Sequence, residues 1–133
     1  MARIACRWRS AVSGNGGPDA SAALVAIRAA LADGTIDIVA TDHAPHPIES
    51  KECEWGAASM GMVGLESALS IVQQTMVDTG SLGWTDVARI LSRTPAEIGG
   101  LTGYAEGIAV GASAEITLYD PSAERIFGLG SHR

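Results

Sequence analysis

Six residues, Ile36-Asp37-Ile38-Val39-Ala40-Thr41, constrain this chain more than any other stretch. They are mostly apolar and β-branched, too short for a helix, and they do not alternate polar with apolar. That pattern fits a strand buried on both faces, which is the habit of parallel sheets. The residues before it have a different period. Asp19 or Ser21 can cap a helix in which Leu24, Ile27 and Leu31 share one face, and Asp33-Gly34 provides the stop. A helix feeding a buried strand is the grammar of an α/β sheet or barrel. In those folds, polar residues at the carboxyl end of a strand face the site where chemistry occurs.

The rest of the chain is consistent with this class. Residues 1–18 read as irregular, closing in the turn-rich Ser13-Gly14-Asn15-Gly16-Gly17-Pro18. A long loop runs from Asp42 to about Gly64, punctuated by Pro45, Pro47, Gly56 and Gly61, and loops of that length in compact domains usually carry function. Leu65, Leu69, Val72 and Met76 predict the buried face of a second helix ending at Gly80. A third helix is expected near Thr85. A fourth is announced by Thr94-Pro95-Ala96-Glu97, with Thr94 as its cap. Ile108–Val110 and Ile116–Tyr119 read as two short strands around a turn, and residues 122–133 have no period.

Charge and cysteine content narrow the function. The 133 residues carry a net charge of −6, with 15 acidic side chains against 9 Lys and Arg. Such a balance lacks the basic footprint of a nucleic-acid or anionic-membrane binder. No apolar run approaches the roughly 20 residues of a membrane span. Two cysteines, Cys6 and Cys53, are too sparse for a disulfide framework, so a reducing cytoplasmic setting is expected. Cys53 stands among acidic neighbours, which do not activate a thiol.

The end of the strand is where chemistry is expected. Asp42 sits at the delivery point, followed by His43, Pro45 and His46. A carboxylate held there can ligate a metal or accept a proton from water, and a histidine can bind an anion or a metal. The plainer alternative is an Asx-turn at Asp42 with two polar loop histidines. Thr41-Asp42-His43-Ala44-Pro45-His46 resembles the dihydroorotase signature of the amidohydrolase superfamily. Ser59-Met60-Gly61-Met62-Val63-Gly64-Leu65-Glu66 resembles that family's glycine loop leading into a helix. Thr94–Leu101 and Gly107–Pro121 resemble its downstream segments.

This resemblance implies an α/β fold: the C-terminal part of a (β/α)8 TIM barrel over residues 19–106, with part of a small β-domain over 107–121. It implies a zinc-dependent hydrolase of cyclic amides, interconverting N-carbamoyl-aspartate and dihydroorotate in pyrimidine synthesis. Asp42 matches the catalytic aspartate and metal ligand, His46 the residue that binds the substrate carboxylate, and Met60 and Gly61 the loop whose backbone contacts the substrate ring. His43 reads as a structural residue that supports the site from behind rather than touching substrate. The family's His-x-His pair and its further metal ligands have no counterpart among three histidines and the single lysine, Lys51. A catalytic zinc takes three protein ligands. The expectation is therefore an incomplete barrel, truncated or frame-disrupted and inactive alone, that associates with itself or with complementary segments. Two alternatives stand beside it: a non-catalytic dihydroorotase-like module that binds a carbamoyltransferase, and a piece of an allantoinase-like cyclic amidase.

Overall fold

The computed structural model describes residues 4–5, 18–104 and 107–124, with side chains from Ser21 onward. Cys6, Trp8, the turn over 13–17 and residues 125–133 lie outside the described residues. Helix dominates. The strands are β1 (Ile4–Ala5) and β2 (Ile38–Val39), and the helices are α1 (Pro18–Ala32), α2 (Ala68–Val72), α3 (Trp84–Ala88) and α4 (Thr94–Ile98).

β2 forms within the expected run and it is parallel, pairing Ile4 with Ile38 and Ala5 with Val39. Its partner corrects the reading of residues 1–18 as irregular. One β-branched residue, Ile4, beside an alanine is too little to register as a strand without a view of its neighbour. α1 starts at Pro18, where the missing N–H costs nothing and the fixed φ suits a first turn. It ends as expected: Gly34 takes a left-handed φ of 80° and Asp33 Oδ1 accepts from the Thr35 N–H at 2.8 Å. Its expected buried face does not form in full. Leu31 is buried, whereas Leu24 and Ile27 are exposed, because nothing among the described residues packs against that stripe.

The helices after the loop are interrupted in a way periodicity does not show. α2 widens into a π-helical turn at Gln73–Val77, where the Thr75 hydroxyl donates to the Ile71 carbonyl at 2.6 Å and competes with the backbone ladder. Residues 65–67, expected to be helical, form a turn instead. α3 runs through a second π-helical turn at Arg89–Arg93 directly into α4. Thr94 is therefore not a cap but a helical residue with φ −63° and ψ −41°. The widened turn lies just before Pro95, whose ring and absent N–H would disturb a regular α-turn there. The true start of this rod is Gly83, whose N–H donates to Asp86 Oδ2 at 3.0 Å.

The core is small. Leu31, Val72, Met76, Leu82, Val87 and Ile90 form it, with Ile36, Val39, Leu69 and Leu91 packed around them. Arg28 of α1 donates to the Thr75 carbonyl and to Thr79 Oγ1, tying α1 to the end of α2. The strands expected at 108–110 and 116–119 are absent. Residues 107–124 are turns and extended backbone, since no neighbouring strand among the described residues offers a partner. This segment is held at one point: Tyr119 donates to Gln73 Oε1 at 2.6 Å, Gln73 Nε2 donates to the Pro121 carbonyl at 3.0 Å, and Tyr119 packs against Trp84 with centroids 5.6 Å apart.

Candidate functional site

β2 ends at Val39, and three residues later Asp42 takes a left-handed φ of 48°. It is the only described non-glycine residue to do so. Aspartate tolerates that conformation better than most residues, and backbone held there concentrates at functional positions. No hydrogen bond among the described residues closes an Asx-turn at Asp42, and its side chain is exposed.

The long loop folds back so that residues 59–65 lie against 41–51. The Ala44 N–H donates to the Met62 carbonyl at 3.0 Å, giving a parallel bridge between His43 and Met62. His46 Nε2 is 2.8 Å from the Met60 carbonyl, which can only accept, so this nitrogen carries the proton and donates. His43 shows the opposite polarity. Its Nδ1 lies 3.0 Å from the Gly64 N–H and 3.2 Å from the Leu65 N–H, so Nδ1 is unprotonated and accepts both. Lys51 Nζ donates to the Ser59 carbonyl at 2.7 Å and also to the Gly61 carbonyl.

Two glycines make this closure sterically feasible. Gly61 has φ 126°, and a Cβ there would come within 2.7 Å of Ala44 Cβ and 3.2 Å of His46 Nε2. A Cβ on Gly64 would sit 3.2 Å from both the Thr41 Cβ and the Thr41 carbonyl oxygen. The structure thus brings His46, Met60 and Gly61 into direct contact, with Asp42 just ahead on the same segment. Met60 projects outward, 85% exposed, so its side chain packs on nothing while its backbone is engaged. Met76, by contrast, is 2% exposed and belongs to the core, as its place on the second helix's buried face predicts.

Sequence reasoning missed Lys51 and read His43 as structural without naming its partners. Their partners are backbone groups, which no motif records; the one available signal was a lone lysine inside a proline- and glycine-punctuated loop. The described residues do not fit a zinc ion. No group of three or more His, Cys, Asp or Glu is placed to hold a metal among them, and each loop histidine has one ring nitrogen committed to backbone. A groove of about 540 Å³ lies elsewhere, between the 85–93 face of the long rod and residues 103–104 and 107–117, and it includes none of Asp42, His46, Met60 or Gly61.

The chain is 67% identical over 105 residues to a dihydroorotase from Leifsonia xyli, a match spanning 79% of this chain and 24% of that protein. The chain is a dihydroorotase homologue. A Streptomyces coelicolor dihydroorotase is 63% identical over 97 residues, covering 73% of this chain and 23% of the relative. One from Mycobacterium tuberculosis is 52% identical over 99 residues, with 74% and 23% covered. The chain thus spans about a quarter of the length of the curated relatives it matches. No protein-family model matches it. Homology to dihydroorotases implies the amidohydrolase fold for the shared stretch. No helix among the described residues is long and apolar enough to cross a membrane.

Proposed function

We propose that this chain carries one wall of a cytoplasmic dihydroorotase site, the part that moves a proton and holds the substrate's carboxylate and ring. In this reading residues 19–106 are the C-terminal part of a (β/α)8 barrel, and 107–121 are the passage into the small domain beside it. Hydrolysis of a cyclic amide needs water to lose a proton as it adds to the carbonyl carbon and the amide nitrogen to gain one as the C–N bond breaks. Asp42, exposed at the strand end, is the group here able to carry that proton between the two. His46 donates through Nε2 to Met60, so Nδ1 is the ring atom left to meet a substrate carboxylate, which it does as the second N–H donor of the doubly protonated ring. The Met60–Gly61 backbone lies beside it. The observation that carries the reading is the 2.8 Å contact between His46 and Met60, which joins two separate stretches that each resemble a dihydroorotase motif.

The described residues hold no zinc-binding group and no second group to polarise the substrate carbonyl, so the chain alone is expected to be inactive. The test is complementation. Mixed with the remaining three-quarters of the Leifsonia xyli relative, the chain should form dihydroorotate from N-carbamoyl-aspartate. Asp42→Asn should abolish turnover, and His46→Ala should raise KM by about tenfold, the equivalent of one lost charge-assisted hydrogen bond. Full activity in the Asp42→Asn mixture would remove the proton-carrier assignment. A second reading, a non-catalytic module that docks on a carbamoyltransferase, is favoured by the apolar residues left at the surface, among them Val25, Leu65 and Leu118. Co-sedimentation with a carbamoyltransferase, with no activity on complementation, would support it over the first.

A further inference from the structure

We propose that Lys51 is a positioning residue that fixes the direction of the Met60 N–H and the Gly61 carbonyl, the peptide groups on either side of the Met60–Gly61 bond. It rests on the reading above in one respect, that this backbone meets the substrate. A trans peptide is planar, and its N–H points opposite to its C=O. Three consecutive carbonyls in the loop are held by side chains: Ser59 by Lys51, Met60 by His46 and Gly61 by Lys51. Each anchored carbonyl sets the N–H of the next residue. The Met60 and Met62 amides therefore point away from the Lys51 ammonium, and the Gly61 amide points away from the His46 ring.

Sequence and sterics explain why one cation does this. Gly61 has φ 126°, a conformation disfavoured for other residues, so the loop has no intrinsic reason to hold it. An ammonium offers three donors and suits two carbonyls at once. Lys51 is partly buried against the loop and follows the short 3-10 turn Ile48–Ser50, whose Ser50 carbonyl accepts from the Ser59 N–H at 2.9 Å. The far side of the loop is held by the Ala44 N–H on the Met62 carbonyl and by His43 on Gly64 and Leu65. Among the described residues Lys51 is thus the one side chain that spans both sides of Met60, and removing it frees two of four successive anchored carbonyls.

The experiment is amide NMR on the 133-residue chain, comparing wild type with Lys51→Met and Lys51→Arg, each with and without dihydroorotate. In Lys51→Met, protection of the Ala44 and Ser59 amides against hydrogen exchange should fall by about tenfold, while amides of the α3–α4 rod keep theirs as the control for folding. Lys51→Arg, whose guanidinium also donates to two acceptors, should restore protection. Unchanged protection at Ala44 and Ser59 in Lys51→Met overturns the proposal. So does loss of protection in Lys51→Arg as large as in Lys51→Met, since that would make the lysine a packing residue. Dihydroorotate should shift the Met60 amide in wild type and Lys51→Arg, and not in Lys51→Met. Equal shifts in all three overturn the positioning role. No shift in wild type counts against the substrate-contact reading itself, while the protection data still decide whether Lys51 holds the loop.

Discussion

At the scale of single residues, conformation and hydrogen-bond polarity decide what the motif can do. Gly61 is required twice over, by its φ of 126° and by the 2.7 Å that would separate a Cβ from Ala44. Gly61→Ala should cost about 1–3 kcal/mol, the scale of a strained backbone site, read as a lower urea midpoint. An unchanged midpoint would mean the loop does not close as described. Asp120 offers a pH test. The Ser122 hydroxyl and N–H both donate to its carboxylate, at 2.7 and 2.8 Å, and hold its pKa below the ordinary aspartate value. The sign follows from linkage: the carboxylate's contribution is present above the unfolded aspartate pKa and is lost as pH falls through the lowered folded value. Ser122→Ala should move the Asp120 titration upward, measured by carboxyl NMR shifts. The identities of Asp42, His46, Met60 and Gly61 were legible in the sequence as a family pattern. The protonation of the two histidines was not, because it depends on which backbone group each ring nitrogen meets.

At the scale of elements, sequence patterns located the four α-helices among the described residues, missed the 3-10 turn at Ile48–Ser50, and misjudged how the helices join. Thr94-Pro95-Ala96-Glu97 has the local chemistry of a helix start, yet the rod continues through it from Trp84 to Ile98. A π-helical turn absorbs the proline, and packing of Val87 and Ile90 into the core keeps the axis continuous. The segment from Ile116 to Pro121 shows the reverse case. Its β-branched residues favour a strand, but a strand needs a lateral partner, and here only a side-chain anchor is supplied. Tyr119→Phe removes the hydroxyl that meets Gln73 and should cost about 0.5–1.5 kcal/mol. The near-ultraviolet dichroism of the Trp84–Tyr119 pair should weaken with it; an unaltered spectrum would show that ring packing alone holds the segment.

At the scale of the whole molecule, the core is small for the apolar content. Ile90 and Met76 are sealed, while Val25, Trp55, Ile108, Val110 and Leu118 stand exposed. Patches of this kind mark surfaces that pair with something else, and among the described residues the two-stranded sheet, two residues per strand, has no further strand on either edge. The chain should therefore self-associate, or bind the complementary segments of a dihydroorotase, at micromolar concentration. A monomer in sedimentation velocity that also unfolds in a single cooperative step would sink that prediction.

The sequence by itself determined the helix that ends at Gly34, the parallel character of the strand after it, and the resemblance to dihydroorotases at Asp42–His46 and Met60–Gly61. These are local or written in residue identity: a glycine at a left-handed position, an unbroken β-branched run, a string of specific side chains. Tertiary structure alone decided that Ile4–Ala5 supplies the neighbouring strand, that Leu24 and Ile27 stay exposed, and that Lys51 and His43 hold the loop through its backbone. Those outcomes depend on which groups meet across long stretches of chain. Carbonyls and amides carry no residue identity, so a bond to them leaves no mark in the sequence.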